Sequence, residues 1–286
     1  MPIDKISGQN WADISKVSAI SSNSIANVSG ITAPSASSSL IITDDLVQHL
    51  DAGNSSSYSG SGTTWSDLSG SGTHATMVNS PTYSSTNGGG SFSFDGVDDG
   101  FKLANSTSGP IRPTDSDLTN NGFTVQVWAN IHGTNDVNRF WHNNMFNQSK
   151  YRGLEVVYDG RTSYGGRFIM HKFDNDGRSG TSSRRSVGMS QFSMPTGWAL
   201  FTFRFDSASN NDWRCFQNDS KGTSYSKSGW GSALGYGSSD DGGILHARNG
   251  SIVDPGIIAE IMVYDVALTD QEITDNFDNT KSRYGY

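Results

Sequence analysis

The chain has 286 residues, among them 33 Gly, with 11% aromatic and only 17% charged residues, a balance that argues against a helix bundle and for many short strands joined by tight turns. Its 28 acidic and 20 basic residues leave a net charge of −8, which gives no basic footprint for nucleic acid and no polybasic patch for a membrane surface. A single cysteine, Cys215, excludes an intrachain disulfide framework, and no stretch nears the ~18 apolar residues of an inserted membrane span.

In chain order, the first feature is a repeat of 11 residues within residues 1–31. Ile3, Ile14 and Ile25 align, as do Ile6, Val17 and Val28, each followed by Ser and then Gly or Ala. Ser, Gly and β-branched residues at the repeated positions disfavour helix, so short extended units are expected. Three such units bury too little surface to offset their own ordering, so the arm is read as an anchor that needs a partner, with a disordered tail as the alternative. Residues 32–40, small and polar, read as a linker, and residues 41–286 as one domain. Met1 to Asn10 lack the apolar run of a signal peptide, so no secretion signal is expected.

Within the domain, Leu40 to Ala52 reads as an entry strand, His74 to Val78 as a short one, and Ser91 to Asp95 as a half-buried strand entering an Asp95-Gly96 turn. Phe123 to Ile131 alternates cleanly, with Phe123, Val125, Val127, Ala129 and Ile131 on one face and Thr124, Gln126, Trp128 and Asn130 on the other. Further strands are expected near Arg139–Asn143, Gly153–Tyr158, Arg167–Phe173, Trp198–Phe205, Trp213–Gln217 and Ile257–Tyr264. Thr269-Asp-Gln-Glu272 is a capping box opening the one expected helix, with Ile273 and Phe277 on its apolar face. The pattern specifies an all-β, two-sheet antiparallel jelly-roll sandwich with a short C-terminal helix and an extended N-terminal arm.

Four motifs, Phe94-Asp-Gly-Val-Asp-Asp99, Trp65-x-Asp-Leu-Ser-Gly-x-Gly72, the strand Phe123 to Trp128, and Ala259 to Ile273, resemble in order and spacing the laminin-G-like jelly rolls of the concanavalin A-like lectin and glucanase superfamily. The tandem repeats ahead of such a domain resemble structural proteins of tailed bacteriophages. That resemblance implies a virion location (capsid decoration, fibre or tail), other virion proteins as partners, a homo-oligomer, and host-surface glycans as a further partner. A Ca²⁺-dependent carbohydrate-binding adhesin is the alternative function.

Glucanases of that superfamily place their carboxylates at alternate positions of one strand. The only glutamates are Glu155, Glu260 and Glu272, and neither Glu155 nor Glu260 has an acidic residue two positions away. No nucleophile elbow or zinc-type His spacing occurs either. The expectation is therefore that the chain is not an enzyme. For a metal, Asp98 and Asp99 are the first candidates for a loop-rim Ca²⁺, against a capping role. Trp141, Tyr164, Trp230 and Tyr236, in Gly-, Ser- and Asn-rich surroundings, are the candidate sugar-stacking aromatics, against a role in covering the sandwich edges.

Overall fold

The computed structural model describes residues 5–6, 9–10, 41–103, 109–131, 137–143, 153–160, 167–173, 184–190, 192, 195–206, 212–223, 242–244 and 256–286. The chain divides into two compact units, Met1–Ser39 and Leu40–Tyr286. In the first, β1 (Lys5–Ile6) pairs antiparallel with β2 (Gln9–Asn10), which puts Ile6 of the first repeat in a strand. Ile3, Ile14, Val17, Ile25 and Val28 lie outside the described residues.

The second unit runs through β3 (Leu46–Asp51), β4 (Thr64–Trp65), β5 (Ala75–Val78), β6 (Thr82–Ser84), β7 (Ser91–Ser93) and β8 (Gly100–Leu103) to a short helix α1 (Asp115–Asn120). There follow β9 (Phe123–Ile131), β10 (Val137–His142), β11 (Gly153–Asp159), β12 (Arg167–Phe173), β13 (Arg184–Ser190), β14 (Ala199–Phe205), β15 (Arg214–Gln217) and β16 (Ser220–Lys221). The chain closes with β17 (Gly242–Ile244), β18 (Gly256–Tyr264) and α2 (Asp270–Thr280), then a 3-10 turn over Lys281–Tyr284. Among the described residues these strands form two antiparallel sheets of eight. The front sheet has the order β13-β12-β11-β10-β17-β8-β5-β4; the back sheet has β16-β15-β14-β9-β18-β7-β6, with β3 also paired to β18. The length of β18 allows this, since Ile257 and Ile258 meet β7 while Glu260 to Tyr264 meet β3.

The alternation of β9 fixes how the sheets stack. Phe123, Val125, Val127, Ala129 and Ile131 enter the core between the sheets, joined by Phe201, Phe203 and Phe205 of β14. Register carries the pattern across, with Phe203 opposite Val125 and Phe201 opposite Val127. Phe201 stacks on Phe168 and Phe140 of the front sheet at centroid distances of 4.6 and 5.3 Å.

The other face of the back sheet is also buried, because α2 lies on it. Trp128, Met262 and Tyr264 form a second apolar cluster with Ile273 and Phe277 of the helix. The polar groups sealed there satisfy one another: Asn276 Nδ2 donates to Gln126 Oε1 (2.7 Å) and to Tyr264 Oη (2.9 Å), and Trp128 Nε1 donates to Thr280 Oγ1 (2.9 Å). The helix starts at its capping box, with Thr269 Oγ1 accepting from Glu272 N and Glu272 Oε2 accepting from Thr269 N. Arg204 of β14 ties this end to the sheet through Leu268 O (3.1 Å) and Asp270 Oδ1 (2.7 Å).

Three elements differ from expectation. α1 has a capping box of its own, Thr114 with Asp117, where the shorter Asp replaces the usual Glu or Gln. The entry strand begins only at Leu46; upstream, Ile41 joins the cluster under α2 and Ile42 N donates to Asn276 Oδ1 (2.7 Å). β13 pairs with β12 at the sheet edge; its sequence, Arg-Arg-Ser-Val-Gly-Met-Ser, opens on two arginines and alternates only from Ser186 on, with Val187 and Met189 apolar.

Candidate functional site

The acidic motifs serve first as fold parts. Asp67 accepts hydrogen bonds from His49 N (2.8 Å), Ser69 N (3.0 Å), Ser69 Oγ (2.8 Å) and Thr73 N (3.1 Å), and Leu68 N donates to His49 O (2.8 Å). The loop from Trp65 to Gly72 thereby covers the outer edge of β3. Burial opposes ionisation of Asp67, yet these donors hold its carboxyl below the usual range.

Asp95 closes its own turn, its Oδ1 accepting from the backbone N of Val97 (2.8 Å), Asp98 (3.3 Å) and Asp99 (3.4 Å). These donors, Val97 N foremost, lower its pKa. Asp99 Oδ2 accepts from Asp95 N (3.2 Å). Asp99 is only 8% exposed, and its carboxyl is pushed up by burial and by the charges of Asp95 and Asp98. Asp95, Asp98 and Asp99 bring one carboxylate oxygen each within 4.8 Å of one another. A divalent cation at this tip would find part of the six to eight oxygens calcium takes, with Asp95 Oδ1 already committed to the turn.

The aromatic candidates divide. Trp141 is not a loop residue: it belongs to β10, is fully buried, and donates from Nε1 to Gln48 Oε1 (3.1 Å). The register slips between Arg139 and Trp141, so both Phe140 and Trp141 join the core between the sheets. A sugar ring cannot reach it. Tyr164, Trp230 and Tyr236 lie outside the described residues.

Sequence reasoning missed the outer face of the front sheet. Leu154, Val156 and Tyr158 of β11 enter the core, so Glu155, Val157 and Asp159 point away from it. Register places His142 and His171 opposite Glu155 on either side, and Arg167 opposite Asp159. Arg139 Nε lies 2.8 Å from Glu155 Oε1, a close ion pair not aligned as a hydrogen bond. Glu155, Asp159, His142 and His171 are all under 5% exposed. The alternation of β11 could have revealed the pair Glu155 and Asp159, which lie four apart on one face; a search two residues either side of Glu155 stops short of it.

The outer face of the back sheet has a charged group of a different kind. Glu260 accepts from Tyr284 Oη (3.2 Å) and contacts His49 Nε2 (2.9 Å), while Arg283 pairs with Asp51 (2.5 Å) and donates to Gly88 O and Gly90 O. His49, Asp51 and Glu260 also gather within 4.8 Å. The Arg283 guanidinium, 3.8 Å from Glu260 Oε2, already supplies positive charge where a metal would sit. Asp51 is raised by burial and by Glu260, and Tyr284 is pushed well above the ordinary phenol range by burial and by the same glutamate.

No protein-family model and no curated protein matches the chain. Solved structures do. Trypanosoma rangeli sialidase in complex with sialic acid matches with a TM-score of 0.56 at 14% identity, over 93% of this chain and 38% of that one. The binding domain of botulinum neurotoxin DC in complex with rat synaptotagmin II matches with a TM-score of 0.58 at 11% identity, over 84% of this chain and 52% of that one. The binding domain of Paraclostridial Mosquitocidal Protein 1 matches with a TM-score of 0.56 at 13% identity, over 82% of this chain and 52% of that one. The chain thus spans little more than a third of the sialidase and about half of the toxin chains. At these identities the likeness establishes the β-sandwich fold.

The sialidase matches correct the expectation that the chain is not an enzyme. The same fold occurs within enzyme chains, so a missing Glu-x-Asp spacing does not by itself exclude an enzyme. The two carboxylates on one face of β11 weaken that argument further.

Proposed function

We propose that the chain is a lectin-like binding module for glycans. The observation that carries the reading is the likeness of its two-sheet sandwich to solved binding domains, one of them in complex with synaptotagmin II, and to part of a sialidase chain in complex with sialic acid. The row of His142, Glu155, Asp159 and His171 is under 5% exposed and serves the fold rather than a ligand.

The finer reading is a virion component of a tailed phage, joined to capsid or tail by its arm and displaying this domain toward the host. The three repeats and their resemblance to phage structural proteins support it. Deletion of residues 1–38 is expected to leave a folded domain that no longer joins particles; incorporation at wild-type levels contradicts the anchoring role. For the binding role, a glycan array with the full chain is expected to give a chelator-sensitive signal if the Asp95 to Asp99 tip holds Ca²⁺ and a chelator-insensitive one if the tip is only a turn. Silence in both conditions contradicts glycan binding.

A further inference from the structure

We infer that Tyr286, with Trp198 beside it, forms a sugar-contacting subsite at the rim of the back sheet, a conclusion that rests on the glycan-binding reading. Among the described residues the large hydrophobic side chains that remain exposed are Val97 and Tyr286, the latter at 54%. Val97 sits alone on a turn. Tyr286 sits in an aromatic group, its ring 5.5 Å from Phe277 and 6.1 Å from Trp128.

The ring is held in place by both functions of its hydroxyl. Tyr286 Oη donates to Trp198 O (2.6 Å) and accepts from Asn218 Nδ2 (3.1 Å). Asn218 is itself set by the turn between β15 and β16, where it takes φ 58° and accepts from Leu200 N (3.0 Å). The Trp198 indole is also fixed, lying 5.2 Å from the Tyr284 ring and so close over Gly88 that a Cβ there would come within 2.6 Å of Cζ2.

The exposed Tyr286 ring offers an apolar face, the partly exposed Trp198 lies next to it, and the Asn218 amide adds a polar edge. That combination matches a pyranose ring, which has an apolar C–H face and a rim of hydroxyls. Because both rings are ordered before binding, little side-chain freedom is lost on contact. Trp141 lacks the one property this role requires, exposure to a ligand.

The test compares full-length wild type with Tyr286→Ala and Tyr286→Phe on an immobilised glycan array, alongside thermal unfolding. Tyr286→Ala is expected to weaken binding of the glycans that wild type retains by about tenfold, with a smaller change in unfolding midpoint than Trp128→Ala produces. Tyr286→Phe keeps the ring but loses both anchoring hydrogen bonds, so an intermediate loss is expected. Equal binding by Tyr286→Ala and wild type overturns the subsite and leaves the glycan-binding reading standing. Failure of wild type to bind any glycan overturns both.

Discussion

The two sheets share a core but have different outer faces. On the back sheet, Trp128, Met262 and Tyr264 are covered by α2, and the polar atoms sealed there, Gln126, Asn276 and Thr280, are matched to partners within the same layer. On the front sheet the corresponding positions are Arg139, His142, Glu155, Asp159 and His171, the last four under 5% exposed. One outer face was built into a second apolar core, and the other buries ionisable groups, which is stable only where each finds a partner.

Substitutions can sharpen that contrast. The largest effect is expected from Trp128→Ala, which removes a fully buried indole that stacks on Tyr284 at 3.9 Å. A loss of about 3–5 kcal/mol is expected in denaturant unfolding, as for other large aromatic deletions. Arg283→Met comes next, since it leaves Asp51 and the buried Glu260 without their cation; a cost of about 3 kcal/mol is expected, partly recovered when Glu260→Gln is added.

Alkaline pH should act through the same face. The Tyr284 pKa is raised by burial and by Glu260, so the folded state holds a proton that the unfolded chain releases above about pH 10. The stability tied to Tyr284 is therefore full below that pH and is lost as pH rises from there through the raised pKa of the folded state, and Tyr284→Phe should flatten the slope. A pH titration of the unfolding midpoint checks this. The smallest effect is expected from Thr269→Ala, which removes the cap of α2 at about 1 kcal/mol and should leave glycan binding unchanged.

Most of the fold was legible because local pattern and tertiary need agree. The alternation of Phe123 to Ile131 gave both faces of β9, and the capping box at Thr269 gave the helix that covers one of them. Trp141 was misjudged because its inward turn depends on a register slip, which no alternation shows. β13 was missed because an edge strand can be polar. The ionisable row of the front sheet was less legible, since pairing His142 and His171 with Glu155 requires the strand register. The Arg283 to Asp51 contact spans nearly the whole domain, and spacing along the chain gives no sign of it.

The measurement that bears most directly on the account is the binding of full-length wild type to an immobilised glycan array, read beside the same chain unfolded by heat. The account predicts a saturable signal on at least one glycan from the folded chain alone. Silence across the array would contradict the lectin-like role itself.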